Sequence, residues 1–339
     1  MKIVICTRDL EYGVGSVVLQ EIKAYEGDPA VEKVIVIGPK AVRGFSSKVE
    51  FVVQKNVGRS FITKAPIYAL RCRQSLKRII ERERPDLILT HFPMLATDFG
   101  VEMHAKFHGL HRPASRRTGW GPVGLVAKAF HALYSYFDYC TIRHADSVLF
   151  VSRATMAEAK ALYPAHHAKF EYTPNSADST IFYPATPEQR AEARERLGLN
   201  DGKKTFLYVG RLEPMKGILL LLDVLRGLDK AFRLVVIGEG PLREAVRSYP
   251  FVKYLGRIEQ RTLREHYIAA DLFILPSLSE NSPMTVLEAK ACGCPVLASA
   301  VGDNIYTLPP ADVYRTLEEL KAKLGERLAE GGGATEARS

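Results

Sequence analysis

Residues 272–299 read LFILPSLSENSPMTVLEAKACGCPVLAS. A short apolar run, LFILP, opens the stretch; a polar loop with a Ser-Pro turn follows, then a small-residue segment of helical period around TVLEAKACG, then a second apolar run, CPVLAS. Strand, loop, helix, strand is the unit of a parallel sheet, because parallel neighbours need a crossover that a hairpin cannot supply. The same stretch carries two carboxylates eight positions apart, Glu280 in the loop and Glu288 in the first turns of the helix.

Working back from it, the rhythm repeats through KTFLYVG, helical GILLLLDVLRGL, RLVVIG, a helix from Pro241, VKYLG and helical LREHYIAA. It also fills the first half: KIVIC, a Gly-containing turn with VVLQEIKAY, KVIVIG, helical YALRCRQSLKRIIERER, DLILTHF, AKFHG, helical AKAFHALYSYFDYCTIRHA and SVLFVS. Between the halves, YTPNSADSTIFYPATPEQ loses the pattern to Pro, Ser, Thr and Asp and reads as a linker. The expectation is an α/β protein of two Rossmann-like, doubly wound parallel sheets facing across a cleft, with ligands outside the carboxyl ends of the strands. Its boundaries are residues 1–180, 181–310, a C-terminal helix at 311–330 and a disordered Gly-rich tail at 331–339.

Bulk properties agree. A chain of 339 residues exceeds what one core serves well. At 47% hydrophobic and 25% charged residues, with no apolar run near the roughly 18 residues of a spanning helix, it should fold in water. MKIVIC is too short for a signal-peptide core and reads as the first strand. Five cysteines, Cys6, Cys72, Cys140, Cys292 and Cys294, lie mostly in apolar patterns, which points to reduced thiols and a cytoplasmic protein. No His/Cys/Asp/Glu spacing suggests a metal site.

Each strand-ending loop of the second half brings Gly or polar residues to one sheet edge: VGRLEPMKG, IGEGPL, LGRIEQ and PSLSENSPMTVLEA. Arg211 and Lys216 flank a Pro-containing loop and would suit a diphosphate, or are simply two solvated charges. Glu288 could accept hydrogen bonds from two vicinal hydroxyls near free helix N–H groups, or merely complement the helix dipole.

Together, GRLEPMKG, IGEGPL, LGRI and the E-x7-E of ENSPMTVLE running into AKACGCPVLAS resemble the donor-binding domain of glycosyltransferase family 4, which has the GT-B fold. The likeness extends through the Gly13–Gly15 turn, KFHG, HADSVLFVS and TPNSADSTIFYP, to about residue 305. It implies a retaining, metal-independent hexosyltransferase that uses a nucleotide sugar as co-substrate and needs no other cofactor. By the matching motifs, Arg211 and Lys216 would hold the diphosphate, Glu288 the ribose hydroxyls and Glu280 the donor sugar. Asn281, Ser282, Pro283 and Met284 would contact sugar and phosphates, Ile258 would lie beside the base, and Gly13 and Gly15 would approach the donor phosphate. His108 would face the anomeric centre, with His91 and His111 as weaker candidates. The chain departs from the family at NSAD in the linker, at AVGDNIYTLPP after CPVLAS, and in the short segment that follows.

Charge adds a second theme. Of the net +9, residues 1–184 carry +8, and residues 51–80 hold seven Lys or Arg with no acidic residue. From 65 to 84, Ile67, Leu70, Cys72, Leu76, Ile79 and Ile80 recur at helical spacing between basic residues. The segment is a core-packed helix with a solvated face, or a surface of Arg71, Arg73, Lys77 and Arg78, extended by Arg112, Arg116, Arg117 and Trp120, that docks on the inner face of an anionic membrane. No nucleic-acid module is recognisable.

The leading functional reading is sugar transfer to a glycan or lipid-linked acceptor. The alternatives are a non-hydrolysing nucleotide-sugar epimerase on the same fold and a non-catalytic nucleotide-sugar binder. A nicotinamide-dependent enzyme lacks its signature, since GVGSVV is only part of G-x-G-x-x-G.

Overall fold

The computed structural model describes residues 1–10, 13–54, 61–110, 122–228 and 232–329. The chain divides after Asn175 into two compact units.

The first unit is a seven-stranded sheet in the order β3-β2-β1-β4-β5-β6-β7, built from β1 (Lys2–Cys6), β2 (Lys33–Gly38), β3 (Val49–Val53), β4 (Leu87–Thr90), β5 (Glu102–Phe107), β6 (Ser147–Phe150) and β7 (Phe170–Tyr172). Every neighbouring pair is parallel. Because side chains alternate along a strand, KIVIC serves two cores. Ile3 and Ile5 pack with Val18 and Ile22 of α1 (Val14–Gly27), while Val4 and Cys6 pack with Tyr68, Cys72 and Leu76 of α2 (Phe61–Glu83) and with residues of α3 (Pro122–His144) and α4 (Arg153–Leu162).

The second unit has α5 (Pro187–Arg196), β8 (Lys204–Val209), α6 (Ile218–Arg226), β9 (Phe232–Ile237), α7 (Arg243–Arg247), β10 (Val252–Gly256), α8 (Gln260–Ala269), β11 (Leu272–Leu275), α9 (Met284–Ala291), β12 (Val296–Ser299), α10 (Asn304–Thr307), β13 (Val313–Tyr314) and α11 (Leu317–Ala329). Its six parallel strands run β10-β9-β8-β11-β12-β13. Leu207, Val209, Phe273 and Leu275 pack toward α5, α8 and α9, whereas Phe206, Tyr208, Leu272 and Ile274 pack toward α6, α7 and α11. All five cysteines are free and buried.

The apolar stripe of α2 differs from its sequence reading. Ile67 and Leu70 are 36% and 45% exposed, and the buried face is Tyr68, Ala69, Cys72, Leu76 and Ile79. The 3.6-residue turn explains it: Tyr68 stands one turn before Cys72 and two before Leu76, and its hydroxyl donates to the Thr7 carbonyl at 2.6 Å. Arg71, Lys77 and Arg78 are exposed and Arg73 is half-buried. The readings that rest on His111, Arg112, Arg116, Arg117, Trp120 and the tail lie outside the described residues.

Candidate functional site

In each unit the sheet order reverses at one place, between β1 and β4 in the first and between β8 and β11 in the second. Chains leaving two such strands turn to opposite faces of the sheet and leave a crevice at their carboxyl ends. In the second unit the loops concerned are residues 210–217 and 276–283, which hold Arg211, Lys216, Glu280, Asn281, Ser282 and Pro283.

These two loops are tied together. The Leu278 amide donates to the Met215 carbonyl at 2.9 Å. Gly217, with φ +67°, lies so close that an added Cβ would run into the Pro276 carbonyl oxygen. Lys216 Nζ then reaches Glu280 Oε1 at 2.6 Å, and Ser277 Oγ donates to the same oxygen at 2.7 Å. Both contacts fall on Oε1 of the Glu280 carboxylate. The Glu280 side chain is 9% exposed and that of Lys216 is 21%. A third loop, after β12, backs the site: Gly302 (φ +56°) lies against the Glu280 carbonyl, and the Asp303 amide donates to the Asn281 carbonyl at 2.8 Å. Ser299 Oγ donates to the Ser277 carbonyl at 2.6 Å.

Glu288 lies in α9, whose N-cap is Pro283 and whose first residue, Met284, is buried. It is a buried carboxylate, and the Tyr267 hydroxyl of α8 donates to its Oε2 at 2.9 Å. Burial pushes its pKa up to about 7, with the Tyr267 hydrogen bond opposing the rise only in part. The two glutamates are therefore chemically distinct: Glu280 is matched by a cation, Glu288 by a phenol. Arg211 stands apart from Lys216, 63% exposed and paired with Glu213 at 2.7 Å. Ile258, in the loop after β10, is partly buried against the core.

At the carboxyl ends of the first unit's strands, His91 follows β4 and His108 follows β5, with stacked rings and His91 Nδ1 3.2 Å from His108 Nε2. Glu21 of α1 reaches His91 Nε2 at 2.8 Å through Oε2 and Lys106 Nζ of β5 through Oε1. Burial by itself would raise the Glu21 carboxyl, but His91 and Lys106 outweigh it and hold it at about 2. Burial, with His91 and Lys106 adding to it, lowers His108 to about 3, so its ring is neutral at any ordinary pH. Gly13 is the N-cap of α1 at φ 51°, and an added Cβ on Gly15 would stand 2.8 Å from the Leu10 carbonyl carbon.

Sequence reasoning passed over Ser277, Tyr267, Glu21 and Lys106. Lys106 had a signal, a lone cation in the buried strand EMHAKF; Tyr267 had none beyond its place on a helix. A separate cavity of about 640 Å³ opens beside Asp98, Glu102, Arg143, Asp146 and Lys169. Its polar groups serve the backbone: Lys169 Nζ donates to the Ala145 carbonyl at 2.6 Å, and Asp146 accepts from the Met103 amide at 2.8 Å. Among the described residues no three His, Cys, Asp or Glu side chains gather as metal ligands, and no helix is long and apolar enough to cross a membrane.

Two parallel Rossmann-like units in one chain, with polar loops at the switch point of the second, define the GT-B architecture. Residues 13–181 match the family described as Glycosyltransferase Family 4 and residues 189–309 match Glycosyl transferases group 1. The chain belongs to the family 4-like glycosyltransferases. It is 30% identical over 181 residues to a GDP-mannose-dependent monoacylated alpha-(1-6)-phosphatidylinositol monomannoside mannosyltransferase of Corynebacterium glutamicum, covering 49% of this chain and 47% of that protein. The chain spans about half the length of the curated relatives it matches. Among solved structures, a sucrose-phosphate synthase from Thermosynechococcus elongatus superposes with TM-score 0.74 at 21% identity, over 97% of this chain and 90% of that one. Anabaena HepE, solved with UDP-glucose, does so with TM-score 0.65 at 16% identity, over 98% and 94%.

Proposed function

We propose that the protein transfers a hexose from a nucleoside diphosphate sugar to a hydroxyl of a glycan or lipid-linked acceptor, with retention at the anomeric carbon. The observation that carries this reading is the Lys216–Glu280–Ser277 cluster at the switch point of the second unit, followed eight residues on by Glu288. Lys216, as a point charge, and Arg211, as a fork that must exchange Glu213 for the ligand, take the diphosphate. Glu280 takes hydroxyls of the sugar and Glu288 those of the ribose, with Asn281 to Met284 lining the path between. Ile258 borders the base.

As the glycosidic bond breaks, negative charge grows on the leaving diphosphate, and Lys216 and Arg211 stabilise it most at that point. The acceptor hydroxyl attacks from the same face. His108, a neutral imidazole, is the first unit's contribution to catalysis, and Gly13 and Gly15 give the close backbone approach there. The sequence pattern and the donor set call for no metal. Exposed Leu70 and Ile67 among Arg71, Lys77 and Arg78 support peripheral docking of α2 on an anionic bilayer, which suits a lipid-linked acceptor and a cytoplasmic-face location.

Product analysis tests the reading. UDP-glucose, GDP-mannose and ADP-glucose are each incubated with the protein, with and without a lipid and oligosaccharide acceptor pool. Transfer predicts a free nucleoside diphosphate and a new glycoside only with acceptor. A new nucleotide sugar formed without acceptor would instead establish an epimerase, and binding with no product under any condition would leave only a binder.

A further inference from the structure

Four ionisable side chains form one line in the first unit: Lys106, Glu21, His91 and His108. They come from β5, α1 and the ends of β4 and β5, so the fold places them and no local motif does. Lys106 and His91 are 6% and 5% exposed. Burying such groups is costly compared with apolar residues of the same volume, so packing alone does not account for them.

Their connections fix where the protons sit. Glu21 accepts from Lys106 Nζ on Oε1, and its Oε2 stands 2.8 Å from His91 Nε2 without being aligned for a hydrogen bond, so that pair is an electrostatic contact. A carboxylate facing Nε2 requires a proton on that nitrogen. Lys106 already neutralises Glu21, so a second proton on His91 would leave a net positive charge in a buried cluster. With its one proton on Nε2, His91 turns a bare Nδ1 to His108, 3.2 Å from Nε2. That contact is a hydrogen bond only if His108 carries its proton on Nε2. The second nitrogen of His108, Nδ1, is then a bare acceptor.

We propose that Glu21 and His91 are positioning residues that lock His108 as the Nε2–H tautomer, so that its Nδ1 accepts a hydrogen bond from a substrate hydroxyl. The low pKa of His108, set first by burial, keeps that nitrogen unprotonated through the physiological range. Lys106, Glu21 and His91 are the charged or titratable groups that shift it, and Tyr25 of α1 also faces Glu21. The site would then favour a ligand that offers an O–H at this point over one that offers only an acceptor oxygen. This rests on the glycosyltransferase reading for the identity of the ligand, and not for the tautomer.

The experiment is two-bond 1H–15N correlation NMR on the full chain labelled at histidine nitrogens, from pH 5.5 to 8, with His91→Gln and His108→Asn used for assignment. The expected spectrum shows both rings protonated on Nε2 alone at neutral pH, with the His108 signals unchanged over that range. His108 protonated on Nδ1, or either ring protonated on both nitrogens at neutral pH, would overturn the proposal. In Glu21→Gln the His108 signals should shift toward a mixture of tautomers, and kcat for whichever of UDP-glucose, GDP-mannose or ADP-glucose is turned over should fall about 10-fold or more with KM little changed. A Glu21→Gln protein with the wild-type spectrum and wild-type kcat would also refute it. If the wild-type spectrum is as expected but none of the three donors is consumed, the lock stands and the glycosyltransferase reading fails.

Discussion

Replacing Glu288 by glutamine should make the free protein more stable at alkaline pH while weakening its hold on a nucleotide. In the folded chain burial raises this carboxyl from 4.5 to about 7. The folded state therefore binds the proton more tightly than the unfolded state, and that stabilisation is complete below about pH 4.5 and lost as pH rises through 7. At 1.36 kcal/mol per unit, about 2.5 kcal/mol disappears between pH 5 and pH 8. The substituted glutamine titrates nothing. Its amide oxygen keeps the hydrogen bond from Tyr267, and any cost of its NH₂ group is the same at both pH values. The difference in unfolding free energy, variant minus wild type, should thus rise by about 2.5 kcal/mol from pH 5 to pH 8, since all other titrating groups are common to both proteins. For a unit of this size that is roughly 5–10 °C in Tm. Thermal and urea unfolding of both proteins at the two pH values measures it. A difference that stays flat with pH, or falls, would refute a buried Glu288 with a raised pKa.

The opposite sign is expected at Glu21, whose pKa is held at about 2. Glu21→Gln should lose about 2–3 kcal/mol of stability at pH 7, and the gap from wild type should close as pH falls from about 4.5 toward 2, as acid-unfolding curves of the two would show. Gly217→Ala must place a Cβ against the Pro276 carbonyl with φ at +67°, so it should cost about 2 kcal/mol or more and abolish nucleotide-sugar binding with it, read by urea unfolding and calorimetry. Arg71→Glu combined with Lys77→Glu and Arg78→Glu should cut binding to vesicles rich in anionic lipid at low salt, by about 1 kcal/mol per charge removed or more, and leave soluble-donor binding unchanged in a flotation assay.

Most strands were legible because β-branched runs packed on both faces look unlike anything else in the chain. The three that were not, β3, β7 and β13, are all edge strands; VEFVV is only half-buried, and FEY and VY are too short to show a period. Their strand character comes from pairing with a neighbour. Of the α2 stripe, Cys72, Leu76 and Ile79 are buried as read, but Leu70, two residues before Cys72, points away from that face, whereas Tyr68, one turn before Cys72, continues it and reaches the Thr7 carbonyl.

In the second unit the motif residues Lys216, Glu280 and Glu288 were visible because they sit in or beside short loops with Gly and Pro around them. What they do to each other was not. The Lys216–Glu280 pair spans 64 residues, and the Tyr267–Glu288 pair joins two helices whose contact no spacing rule predicts. The Glu21–Lys106 contact spans 85 residues in the first unit, so the charge line behind His108 emerges only when the sheet is assembled.

Direct titration calorimetry of UDP-glucose, GDP-mannose and ADP-glucose into the wild-type protein and into Lys216→Ala, with chelator present, tests whether the switch-point cluster of the second unit holds a nucleotide sugar. One of the three should bind with one-to-one stoichiometry, and Lys216→Ala should weaken it at least about 10-fold by removing the diphosphate's cation while leaving the Glu280 carboxylate with Ser277 but no cation. If none of the three binds the wild type, or if Lys216→Ala binds as well as the wild type, the switch-point cluster is not a nucleotide-sugar site.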